Sequence, residues 1–136
     1  MTETNKVYSS GKRKTAVAKA TIYPGNGKVL INNKSYLGFD IFNRLRIAEP
    51  IRIAEQILGK IEFNAKINVH GGGEKGQIEA ARLALARGIL KFSNSRELEK
   101  TYLDYDRNIL VADVRRKEAY KPGDSKARAK RQTSYR

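Results

Sequence analysis

Residues Ile61–His70 (IEFNAKINVH) alternate apolar and polar side chains without interruption. Ile61, Phe63, Ala65, Ile67 and Val69 fall on one side; Glu62, Asn64, Lys66, Asn68 and His70 fall on the other. A period of two is the signature of a strand with one face buried. Glycines follow, and then the period changes. In Gln77–Phe92, Ile78, Ala81, Leu85, Ile89 and Phe92 recur at steps of three and four, the stripe of a helix laid on a core. A half-buried strand running through a glycine turn into an amphipathic helix constrains the chain to a mixed α/β domain. Arg82, Arg87 and Lys91 fall largely off the helical stripe, which predicts a basic, solvent-facing side.

The flanking segments extend the pattern. Thr15–Tyr23 (TAVAKATIY) alternates well enough for a half-buried strand, with Val17, Ala20 and Ile22 as its apolar positions and Lys19 as a break. Pro24-Gly25-Asn26-Gly27 is turn chemistry, since Gly and Asn tolerate positive φ, and Lys28–Ile31 (KVLI) is predicted to return as the second strand of a hairpin. Asp40–Arg46 reads as a short helix capped by Asp40. Pro50–Leu58 reads as another, with Pro50 in its first turn and Gly59 as its stop. Leu98–Leu103 adds a short helix and Asn108–Val114 (NILVADV) a last strand. There is no internal repeat, and 136 residues make a single domain with a real core.

Charge sets the class of partner. The chain has 28 Lys+Arg against 14 Asp+Glu, a net charge of +14 and a pI of about 10.1, which implies a polyanion. Half of that excess sits in Arg115–Arg136, where nine basic and two acidic residues give +7 in 22 positions. Residues 125–136 contain no acid and no branched aliphatic residue, so alone this segment cannot offset its ordering entropy. It mixes Arg, which grips phosphate through a planar fork, and Lys, a mobile point charge, with small spacers (Ala127, Ala129, Ser134). Tyr120 and Tyr135 can stack on unpaired bases. A second basic cluster is Lys12-Arg13-Lys14. The start, MTETNKVYSSGKRK, has no apolar signal region, and no apolar run approaches the ~18–20 residues of a membrane helix. With no cysteine there is neither disulfide nor thiolate chemistry, which fits an intracellular protein.

His70-Gly71-Gly72-Gly73-Glu74-Lys75-Gly76 literally contains G-x-G-x-x-G between strand and helix. Three readings stand: a nucleotide site, a contact to a nucleic-acid phosphate at a helix start, or a tight turn. A dinucleotide fold needs two βαβαβ halves, for which the chain has no room, and no Gly-Lys-Ser/Thr follows. No nucleophile, base and orienting group can be assembled around His70, the only histidine, so no catalytic residue is assigned. Asp104, Asp106 and Asp113 lack the spacing of a calcium loop and are expected to pair with neighbouring Arg or Lys; no metal site is assigned.

Several motifs then coincide in order: Ser10-Gly11-Lys12-Arg13-Lys14-Thr15-Ala16-Val17-Ala18, Pro24-Gly25-Asn26-Gly27-Lys28, Gly71-Gly72-Gly73 with Gly76-Gln77, Ala86-Arg87, and the closing Ser134-Tyr135-Arg136. Over essentially its whole length the chain resembles the small-subunit ribosomal protein S nine family. Bacterial members typically end Ser-Lys-Arg; the ending Ser-Tyr-Arg is more similar to the archaeal and eukaryotic branch.

The resemblance implies a two-layer α/β (α+β) domain of the kind shared with the second domain of ribosomal protein S five, over residues 1–114. It implies an extended basic C-terminal tail over residues 115–136. It implies a non-enzymatic constituent of the cytoplasmic small ribosomal subunit, without cofactor or membrane. The expected partners are rRNA of the subunit head, the peptidyl-site tRNA and neighbouring head proteins. Lys12, Arg13, Lys14, Gly71, Gly72, Gly73 and Lys75 would face rRNA, as would Arg115, Arg116, Lys117, Lys121, Lys126 and Arg128 along the tail. Lys130, Arg131, Tyr135 and Arg136 would lie nearest the tRNA. Fully extended, residues 124–136 reach roughly 40–45 Å. The alternative, from composition alone, is a free nucleic-acid-binding accessory protein.

Overall fold

The computed structural model describes residues 6–60, 62–112, 114–116 and 119. In chain order its elements are β1 (Val7–Arg13), β2 (Ala16–Pro24), β3 (Val29–Ile31), β4 (Lys34–Ser35), α1 (Ile41–Leu58), β5 (Phe63–His70), α2 (Glu74–Ser93) and α3 (Arg96–Tyr105). Single 3₁₀ turns occur at Tyr36–Gly38 and Arg107–Ile109. The strands form one sheet in the order β1-β2-β5-β3-β4. The helices lie together on one side of it: α2 packs directly on β1, β2 and β5, α1 packs on α2, and α3 packs on α1. The two-layer α/β expectation holds.

The strand at Phe63–His70 and the helix at Glu74–Ser93 follow from their periods. Phe63, Ala65, Ile67 and Val69 are buried against Ile78, Ala81, Leu85 and Ile89. Ala16, Ala18, Ala20 and Ile22 form the buried side of β2, so Val17 points away from the core rather than into it. The sequence also missed β1 altogether. Its inward side is Ser9 and Gly11, too small to register as an apolar period, and both are buried against α2. A Cβ at Gly11 would lie 2.4 Å from the Ala80 carbonyl oxygen and 2.7 Å from the Ala84 nitrogen. Only glycine permits that approach, and the buried Ser9 hydroxyl donates to the Ala84 carbonyl at 2.7 Å.

Four expectations are corrected. The predicted β2–β3 hairpin does not form: β5 lies between the two, antiparallel to β2 and parallel to β3. Asn64 of β5 explains why. Its Oδ1 accepts from the Asn26, Gly27 and Lys28 amides, pinning the Pro24–Gly27 turn over the end of β5 and carrying the chain to its far side. Asn32 then extends the parallel pairing, accepting from the Val69 amide and donating to the Val69 carbonyl. Next, the two short helices are one, α1, with Pro50 inside it. Proline in a helix interior costs ~3 kcal/mol. Burial of Ile47, Pro50 and Ala54 opposes that cost, and the buried Tyr102 hydroxyl of α3 donates to the Pro50 carbonyl at 2.7 Å. Burial pushes the Tyr102 phenol well above its usual pKa, so it stays a donor.

Third, Asn108–Val114 is not a strand among its described residues. Asp106 caps a 3₁₀ turn through the Asn108 amide, and Ile109 is buried. Fourth, the basic solvent-facing side expected of α2 is only partly present: Lys91 is exposed, Arg87 is half-buried and Arg82 is not at the surface. The sheet covers one flank and α1 the other, so Arg82 is buried. Arg82 pairs with Glu49 at 2.6 Å and Asp106 at 3.3 Å, the pairing expected for an acid of this region. Arg87 donates to the Leu110 carbonyl at 2.8 Å and the Ser10 carbonyl at 3.1 Å, and Lys91 to the Tyr8 carbonyl at 3.2 Å. Ile61, Asp113 and all but a few positions of the basic segment 115–136 lie outside the described residues.

Candidate nucleic-acid interface

The fold brings the two basic or glycine-rich motifs together. The β1–β2 turn places Lys14 at φ 55°, and the turn after β5 places Gly71 at φ 79° and Gly72 at φ 65°. These turns touch. A Cβ on Gly71 would come within 2.6 Å of the Thr15 carbonyl oxygen, and one on Gly72 within 3.0 Å of the Ala16 nitrogen. Glycine is therefore required twice over, by backbone conformation and by proximity. The side-chain Nε2 of Gln77 on α2 donates back to the Gly71 carbonyl at 3.0 Å. The tight-turn reading of the motif is thus correct. The same geometry sets Lys14 beside the N-terminus of α2, where Gly73 is the cap residue and Lys75 lies in the first turn.

The other end of the hairpin tip is fixed by charge. Arg13 Nε lies 2.6 Å from Glu79 Oε2 on α2, with the Arg13 side chain only 15% exposed. On α1, Asn43 donates to Glu74 at 2.8 Å, tying that helix to the start of α2. Beside this tip a cleft of about 110 Å³ is lined by Lys12, Arg13, Arg46, Arg82 and Arg115, with Glu79 and Asp106 as its carboxylates. Cations thus outnumber acids five to two, in a concave place where low-dielectric walls strengthen the field.

Of the residues expected to meet RNA, Lys12, Lys14, Gly71, Gly72, Gly73, Lys75, Arg115 and Arg116 are exposed, and the structure gathers Lys12 and Arg115 from opposite ends of the chain into one cleft. Arg13 is turned toward Glu79, so its first role is to clasp the hairpin to α2. The Arg116 guanidinium donates to the Arg115 carbonyl at 3.0 Å. Lys117, Lys121, Lys126, Arg128, Lys130, Arg131, Tyr135 and Arg136 lie outside the described residues. Sequence reasoning missed Arg46, because the segment was split into two short helices; a continuous α1 carries it to the cleft.

Chemically the arrangement offers ammonium and guanidinium donors to phosphate oxygens. Among the described residues no cluster of three or more His, Asp or Glu could hold a metal ion, and no helix is long and apolar enough to cross a membrane. His70 is exposed at the end of β5, opposite Val17.

Residues 11–136 match the family model described as Ribosomal protein S9/S16. A protein of Methanococcus vannielii is 43% identical over 133 residues, covering 96% of this chain and 98% of its own length. One of Thermoplasma volcanium is 44% identical over 131 residues, covering 96% and 98%. One of Pyrobaculum aerophilum is 44% identical over 131 residues, covering 96% and 91%. Each bears the name small ribosomal subunit protein uS9.

Proposed function

The chain belongs to the ribosomal protein S9/S16 family, and from that premise we propose that it is a structural, non-catalytic component of the small ribosomal subunit that binds rRNA. Lys12, Lys14, Lys75 and Arg115 contact rRNA phosphates around the joined hairpin and glycine turns, and the segment 115–136 continues along rRNA toward the peptidyl-site tRNA. Lys130, Arg131, Tyr135 and Arg136 lie nearest that tRNA. The body of the protein, residues 1–114, anchors this segment.

The observation that carries the proposal is the convergence of Lys12 and Arg115 in one cationic cleft beside a turn that glycine alone can make. Binding of this kind gains from counterion release, roughly 0.7–0.9 in the salt slope per neutralised phosphate. The test is sedimentation of subunits carrying the chain, with and without Lys126–Arg136. The full chain stays with small subunits through a moderate-salt wash. The truncated chain stays too, but its subunits hold peptidyl-site tRNA more weakly. Release of the full chain by the wash supports a free accessory protein instead. Unchanged tRNA retention after truncation refutes the role given to the tail.

A further inference from the structure

Among the described residues the sheet has helices on one face only, and the register fixes what stands on the other. Tyr8, Thr21 and Lys66 lie side by side across β1, β2 and β5, as do Ser10, Lys19 and Asn68, and then Lys12, Val17 and His70. None of these three strands contains an Asp or Glu. Tyr8 is 66% exposed, and with Lys6, Thr21, Tyr23, Lys66 and Asn68 it lines a groove of about 570 Å³. Tyr23 sits diagonally from Tyr8, two positions beyond its partner Thr21, a separation of about 7–8 Å. Two tyrosines rooted at that spacing on an open sheet, flanked by Lys66 and Lys19 and with no carboxylate lining the groove, form a platform on which successive bases can stack while lysines meet the backbone.

We infer that this open face is a second RNA surface, which takes unpaired nucleotides by stacking on Tyr8 and Tyr23. The inference rests on the chain being an RNA-bound subunit component, but it assigns a different face and a different chemistry from the phosphate-binding cleft. Duplex RNA does not suit it, because paired bases hide their faces. A second copy does not suit it, because lysine would meet lysine. A protein partner needs an apolar centre, and the exposed Leu37, Ile41, Phe42 and Leu45 lie on α1 and the turn before it.

The test uses the full-length chain, a labelled unstructured oligoadenylate RNA and a duplex of equal length, with binding read by anisotropy over a range of salt. Tyr8→Ala with Tyr23→Ala removes two stacking positions and weakens single-strand binding about thirtyfold or more. It leaves the salt slope and duplex affinity unchanged. Tyr8→Phe with Tyr23→Phe stays within about twofold of the parent. Lys19→Gln with Lys66→Gln, which touches no ring, lowers the slope by roughly 1–1.5. An unchanged single-strand affinity in the alanine variant overturns the inference, as does an equal loss for the duplex. In assembled subunits, a photocrosslinker at position 8 yields an RNA adduct; a protein adduct overturns the inference. A chain that never enters subunits, yet binds single strands through these tyrosines, defeats the subunit assignment and leaves the stacking face standing.

Discussion

Gly11→Ala tests whether β1 is seated on α2 as closely as described. The added methyl would lie 2.4 Å from the Ala80 carbonyl oxygen, 2.7 Å from the Ala84 nitrogen and 3.0 Å from the Leu83 Cβ. The first two are backbone of a buried helix, so neither can swing aside as a flexible side chain would; the strand and helix must part. Overpacking of this kind costs about 1–3 kcal/mol. Gly11 does not have positive φ, so alanine also gains about 0.4–1 kcal/mol by restricting the unfolded chain. Because backbone takes the clash, the upper part of the range applies and the net loss is about 2 kcal/mol. With a urea m-value of ~1–3 kcal/mol/M, the unfolding midpoint falls by roughly 1 M. Gly38→Ala, where nothing lies within 4 Å, is the control. Amide exchange adds a local readout: β1 loses protection along with the Ser9–Ala84 hydrogen bond, while β5 retains it. If Gly11→Ala unfolds at the same urea concentration as the control, the close packing of β1 on α2 is wrong.

Ile67→Ala or Leu85→Ala removes a fully buried side chain and should cost about 2–5 kcal/mol in the same urea assay, whereas no change would mean the facing of β5 or α2 is misassigned. Arg82→Met leaves Glu49 and Asp106 without their shared cation; since both carboxylates are partly exposed, the expected loss is about 2 kcal/mol rather than the ~3–5 of a fully buried pair. Tyr102→Phe deletes the hydroxyl that donates to Pro50 and costs about 1 kcal/mol at neutral pH. Because burial raises the folded phenol above the unfolded value of 10.0, that contribution is whole below pH 10 and declines above it. Alkaline unfolding curves should therefore fall more steeply for the parent than for Tyr102→Phe, and parallel curves would contradict the burial. Lys12→Gln with Lys14→Gln should lower the salt slope of RNA binding by roughly 1.5–2, and an unchanged slope would remove the hairpin tip from the interface.

The parts of the fold legible in the sequence are those whose burial is one-sided. Phe63–Val69 and Ile78–Ile89 announce themselves because each second, or each third and fourth, side chain must leave water. Arg82 and Arg87 misled because α2 is covered twice: a single stripe says nothing about a second helix arriving on the opposite flank. β3, three residues long, carries no register of its own, and its place is dictated by Asn64 and Asn32 through hydrogen bonds that no periodicity encodes. The basic cluster Lys12-Arg13-Lys14 was visible as charge. Its division of labour, with two lysines outward and an arginine clasped to Glu79, depends on a contact far along the chain. The glycines were ambiguous for the same reason, since Thr15, the group that excludes a side chain at Gly71, is remote in sequence.

The bonds from Lys91 to Tyr8 and from Arg87 to Ser10 bear on how the free chain avoids pairing with copies of itself. β1 is the outermost strand, and its outward carbonyls are the acceptors that an incoming strand would zip onto. Two long cations borrowed from α2 already occupy those acceptors and place positive charge along that border. At the opposite border β4 has only two residues, too few to template a ladder. Among the described residues, both margins of the sheet are thus made poor templates for self-pairing, one by borrowed cations and the other by brevity.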